Sequence, residues 1–172
     1  MEVIRVLRSR RGEIALRSGF ILLAGALMLV VLLQGIAVYT TIDNVMKKTG
    51  EAVLAVATTN GENAFGGIRE SAGTARTYDG YAWDRLVTTT DVERVLQRNL
   101  KLTRNGSQLT HQSGGKVAYH IQELRTYYLN SDHDKLNFVT TLVVKIPVAI
   151  GGDVLPPIAK RLEVKTTYEA KF

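Results

Sequence analysis

Residues 19–38 form an apolar run of twenty positions in which Gln34 is the single polar side chain. At a rise of 1.5 Å per residue, twenty helical residues cover about 30 Å, the thickness of the hydrocarbon core of a bilayer. A helix of that length without a charge is poorly suited to the core of a small soluble domain, which packs helices by one apolar stripe. A secretory signal shares the basic start and apolar middle, and Gly35 and Ala37 offer small residues at a cleavage spacing. Its apolar region, however, usually spans only about 7 to 15 residues, and this one is longer. A retained membrane anchor, with the lipid bilayer as its first partner, is the better match.

The flanks supply a direction. Arg5, Arg8, Arg10, Arg11 and Arg17 precede the run against Glu2 and Glu13 alone, whereas Asp43, Lys47, Lys48 and Glu51 follow it with mixed sign. The positive-inside bias then places the short N-terminal arm in the cytoplasm and the C-terminal portion outside. The arm contributes +3 of the chain's net charge of +6, so much of the basic balance is a topology signal. With no basic run interleaved with aromatics in the rest of the chain, nucleic acid is not an expected partner. Cysteine is absent from the 172 residues. Burial and strand pairing must therefore hold the exported portion, and thiol catalysis and thiolate metal sites are excluded.

The apolar pattern continues beyond the bilayer run. Ile42, Val45, Met46, Thr49, Val53 and Val56 recur at spacings of three and four, with Asp43, Asn44, Lys47, Lys48 and Glu51 opposite. This predicts one long helix over residues 14–57, with Gly50 as a weak point and Thr58-Thr59-Asn60-Gly61 ending it. Residues 60–82 are rich in Gly, Ser, Thr and Asn and read as a long irregular connection, with room for a helical turn at 64–70. Tyr78, Tyr81 and Trp83 then cluster, either to anchor that loop on the core or to form an exposed contact surface for a partner subunit or glycan. Asp91 is a candidate N-cap for a short helix over residues 91–99, whose apolar face is Val92, Val95, Leu96 and Leu100.

From there the period changes to two. Leu100, Leu102 and Arg104 lead to Asn105-Gly106, a strong hairpin signal. Residues 116–129 read as a strand with a register shift near Leu124, 130–135 as a polar turn, and 138–148 as a cleanly alternating strand. Gly151-Gly152 and Pro156-Pro157 read as punctuation, and residues 162–172 alternate as a terminal strand. The expected fold class is α+β, a long N-terminal helix (transmembrane, then amphipathic) packed on a C-terminal antiparallel sheet of about four strands. The expected organisation is a basic leader at 1–17, a transmembrane helix at 18–39, an amphipathic extension at 40–59 and an extracytoplasmic α+β domain at 60–172.

Chemistry is sparse. His133 sits among Asn130, Ser131, Asp132 and Asp134, but Lys135 and Thr141 stand where a calcium loop needs glycine and glutamate. His111 and His120 lack a zinc-type spacing. Ser113-Gly114-Gly115 and Gly66-Gly67 lack the lysine and strand–helix context of a phosphate loop. Asp79 and Asp84 flank the aromatic cluster without a motif around them. The chain is read as a non-enzyme with no cofactor and no metal. Within the apolar run, Gly19, Gly25 and Gln34 are candidates for close helix approach or a hydrogen bond between helices.

A basic leader containing Arg11-Gly12-Glu13, an apolar helix extending out of the membrane and a C-terminal antiparallel sheet resemble the type IV pilin-like proteins. The resemblance is greatest to the small pseudopilins of tight-adherence (Tad) systems and related membrane proteins of Gram-positive mobile elements. It implies recognition by a prepilin-type peptidase between Gly12 and Glu13, and packing of the apolar helix into a filament or its assembly base. Arg17 stands where that family places glutamate, which points to an accessory or uncleaved subunit. The function expected is a membrane-anchored structural or assembly subunit of a pilus, conjugation or secretion apparatus, acting in a homo- or hetero-oligomer. The alternative is a membrane-tethered binding or sensor module using the Tyr78, Tyr81 and Trp83 region.

Overall fold

One helix, α1, spans Arg10–Arg69 in the computed structural model, which describes residues 10–69, 87–131, 135–150 and 153–169. The chain divides into two compact units, Met1–Thr41 and Ile42–Phe172. In the first unit the described portion is helix throughout, and its large apolar side chains lie outward. Hydroxyls near the two ends of the apolar run are tied to their own backbone. Ser18 Oγ donates to the Ile14 carbonyl at 2.9 Å, and Thr40 and Thr41 donate to Ile36 and Ala37 at 2.8 Å. Bonded in this way, the three hydroxyls carry little desolvation cost in an apolar solvent.

In the second unit α1 is amphipathic, as the spacing predicts. Val45, Thr49, Val53 and Val56 are buried, together with Ala52 and Ala57. The opposite side carries the pairs Lys47–Asp43 at 2.7 Å and Lys48–Glu51 at 2.6 Å. The helix does not stop at Thr58-Thr59. It passes through Asn60, Gly61, Gly66 and Gly67 to Arg69, so the first part of the expected irregular connection is helical. Glycine raises the cost of helix by only about 1 kcal/mol per residue, too little to terminate one that is already propagating.

The second helix, α2, covers Thr89–Asn99 and begins two residues earlier than the sequence pattern places it. Its N-cap is Thr88, not Asp91. Thr88 Oγ1 accepts from the Asp91 N–H at 3.2 Å, and its own hydroxyl donates to Asp91 Oδ2 at 2.6 Å. Asp91 thus sits at the third helical position, where a carboxylate also faces the positive end of the helix dipole. Val92 and Leu96 are fully buried, and Leu100, the C-cap, is nearly so.

The sheet is a five-stranded antiparallel meander, one strand more than expected: β1 Leu102–Asn105, β2 Gln108–Ser113, β3 Lys116–Ser131, β4 Lys135–Ile150 and β5 Asp153–Glu169, in spatial order β1-β2-β3-β4-β5. The additional strand is β2, held between two tight turns. Gly106 (φ +60°) opens the first turn, and Gly114 and Gly115 (φ +58° and +75°) make the second. Asn105 remains in β1, paired with Gln108, so the two-residue loop is Gly106-Ser107. The expected register shift near Leu124 is present between Gln122 and Arg125, where Glu123 has φ +53°. Pro156 and Pro157 do not end a strand. Ile146 pairs with Ile158 and Val148 with Leu155, so the two prolines oppose Pro147 across a bulge in the edge strand β5. A missing N–H is tolerated at such a place.

Most of the core lies on one face of the sheet, with Val139 buried on the other. Tyr119, Ile121, Leu136, Phe138, Leu142, Val144, Leu162 and Val164 alternate inward from β3, β4 and β5 and are buried. Part of their cover is α1, since a Cβ placed on Gly50 would lie 3.7 Å from Val164 Cγ1.

Candidate functional site

The apolar stretch of α1 is the most unusual surface in the first unit. Phe20, Ile21, Leu22 and Met28 are each 70% or more exposed, and Leu23, Leu27, Leu29, Val31, Leu32, Leu33 and Ile36 are also outward. Successive helical residues turn by about 100°, so runs such as 20–23 and 27–33 cover the whole circumference of the helix. A contiguous exposed apolar surface of this kind marks contact with a membrane or another protein. Among the described residues, this is the one helix long and apolar enough to cross a membrane.

Gly12 and Glu13 lie in the first turns of α1. Gly19 and Gly25 are exposed, and a Cβ on either would meet nothing within 4 Å. Gln34 is half-buried. The helix does not bring these three together: Gly19 and Gly25 lie about 120° apart around the axis, and Gly25 and Gln34 about 180° apart. A single strip for helix packing therefore cannot use all three. Tyr78, Tyr81, Trp83, Asp79, Asp84 and His133 lie outside the described residues. No cluster of metal-ligating side chains occurs among the described residues.

The remaining histidines serve the sheet. His111 Nδ1 is 2.8 Å from the Leu100 carbonyl, which can only accept, so the proton sits on Nδ1. Its ring stacks on Tyr119 with centroids 5.0 Å apart. His120 Nδ1 shares a hydrogen bond with Thr110 Oγ1 at 3.0 Å. Burial pushes the Tyr119 hydroxyl up to about 12.

A second concave feature was not legible in the sequence. β2 pairs with β3 only as far as Leu109↔Ile121. Further along, α2 closes the same edge of β3, with the Thr126 N–H donating to Thr89 Oγ1 at 3.0 Å. The stretch between them, at the Glu123 bulge, borders an open cavity of about 430 Å³. Arg104 straddles its rim, donating from Nη1 to Glu93 Oε1 at 2.9 Å and from Nε to the Gly106 carbonyl at 3.3 Å. Glu123 Oε2 accepts from Arg161 at 3.0 Å. The sequence places a register shift near Leu124, but the strand-length mismatch that opens a cavity beside it needs the pairing partner to be seen.

Compared with known proteins, the chain matches no family model, no curated protein and no solved structure. The class that fold and surface define is an α+β protein with one apolar N-terminal helix suited to a single-pass membrane anchor.

Proposed function

We propose that the protein is a single-pass membrane subunit of a pilus-like, conjugation or secretion apparatus, with a structural or assembly role. Residues 18–39 hold it in the bilayer and pack against neighbouring subunits, and the sheet unit supplies further subunit contacts. The arginine-rich arm remains on the cytoplasmic side and the sheet unit lies outside. The observation that carries this reading is the unbroken helix Arg10–Arg69, which presents apolar side chains on all sides in one unit and a single buried stripe in the other. A helix built in that manner serves as anchor and as scaffold for the sheet.

The cavity beside Glu123 favours a second reading, a membrane-tethered binding module. One experiment separates the two: intact mass of the mature protein together with particle size in mild detergent. The subunit reading expects an oligomer that a leucine substitution of Gln34 or a bulky substitution of Gly25 disperses. A monomer under all conditions overturns it. Cleavage between Gly12 and Glu13 would show as loss of the first twelve residues from the mass.

A further inference from the structure

The rim of the cavity at the β3 bulge has a particular charge arrangement. Glu93, Glu123 and Arg104 line it, Arg104 pairing with Glu93, while Arg161, which lies outside the lining, pairs with Glu123. Both hydrogen bonds to Glu93, from Arg104 and from Gln97 at 3.3 Å, fall on Oε1. A guanidinium carries five N–H donors, and only two of those on Arg104 are engaged in the bonds described. The floor is apolar, made by Leu109 and Ile121 with Leu124 at its side. With positive and negative groups balanced, a ligand of net charge gains little Coulomb energy there. A ligand bearing both charges, spaced a few ångströms apart, is complementary to both.

Volume points the same way, since small-molecule sites start at about 300 Å³. Glu123 adds a further indication. A non-glycine residue at φ +53° holds a conformation that glycine would adopt without strain, and such strain gathers at binding sites. We propose that this cavity binds a small zwitterion with an apolar side chain, an α-amino acid or a dipeptide. Its ammonium group meets the Glu93 and Glu123 carboxylates, its carboxylate meets the Arg104 guanidinium, and its side chain rests on Leu109 and Ile121. The site is independent of the anchor, so failure of filament assembly leaves it standing.

The test is a methyl NMR titration of the full-length protein in detergent micelles. The probes are L-leucine and glycyl-L-leucine, with N-acetyl-L-leucine amide as the uncharged control. Either zwitterion is expected to shift the Leu109, Ile121 and Leu124 methyl signals saturably in the millimolar range, while the capped control does not. Glu93→Gln and Arg104→Gln should each weaken binding about tenfold, the loss of one charge-assisted hydrogen bond. Glu123→Gly removes a carboxylate while relaxing the backbone, so it should weaken binding without loss of fold. Absence of any saturable shift with both zwitterions up to about 20 mM overturns the proposal. Equal binding of the capped control, or unchanged affinity in all three folded variants, does so as well.

Discussion

At the scale of single residues, this protein shows how cheaply a sheet can carry a local misfit. Thr166 Oγ1 is buried without a hydrogen-bond partner, on a strand where the neighbouring inward positions are Leu162 and Val164. An unsatisfied buried hydroxyl costs about 1–3 kcal/mol, and valine has the same shape without that cost. Thr166→Val should therefore raise the urea midpoint by the equivalent of about 1 kcal/mol with no change in slope. Tyr119 makes a pH statement. Its hydroxyl ordinarily titrates near 10 and is pushed to about 12 by burial. Between those values the unfolded chain releases the proton and the native state keeps it, so unfolding gains as pH rises. The stability that depends on the neutral phenol is complete below pH 10 and lost by pH 12, on the order of 2 kcal/mol. In thermal melts across that window the wild type should lose stability relative to Tyr119→Phe as pH rises, and a difference between the two that stays constant with pH would show that burial has no such effect.

At the scale of elements, patterns of apolar residues were a good guide where one face was buried. The outer half of α1, apart from the exposed Met46, the face of α2, β4 and the second half of β5 all alternate or recur at their proper period and lie where the pattern places them. The failures have physical causes. β2 carries Leu109 as its lone aliphatic and buries the adjacent Thr110 as well, so it has no apolar alternation to read. The prolines of β5 look like breakers along the chain, yet they sit at a bulge on an edge strand where no partner requires their N–H. Asp91 looked like a cap because carboxylates favour both the cap and the first turn, and only the Thr88 bonds separate the two. Gly50 offers a prediction at this scale. A Cβ there would make ordinary contacts, 3.7 Å to Val164 and 3.8 Å to Thr166. Gly50→Ala should thus recover the helix propensity of about 1 kcal/mol without overpacking. A lower melting temperature for this variant would mean that helix and sheet approach more closely than those distances allow.

At the scale of the whole molecule, the division into two units follows the change in what α1 buries. Before residue 42 its apolar side chains are unburied by any described part of the chain, and after it they close over a sheet. The apolar half demands a different solvent. A single arginine at the middle of such a segment disfavours insertion by about 2.5–3.5 kcal/mol. Leu29→Arg should accordingly shift the protein from the membrane fraction toward the carbonate-extractable one, whereas Leu54→Arg, on an exposed position in the sheet unit, should not. Equal partition of the two variants would remove the case for a spanning helix.

The order of residues alone determined the apolar helix, its amphipathic continuation and an antiparallel sheet, because each depends on a local period that hydrophobic burial must respect. Tertiary structure decided the fifth strand and the cavity beside the β3 bulge, whose register shift the residue pattern near Leu124 had already placed. Those depend on where one strand stops while its neighbour goes on, and that length difference is a property of pairing across the sheet, invisible in either segment alone.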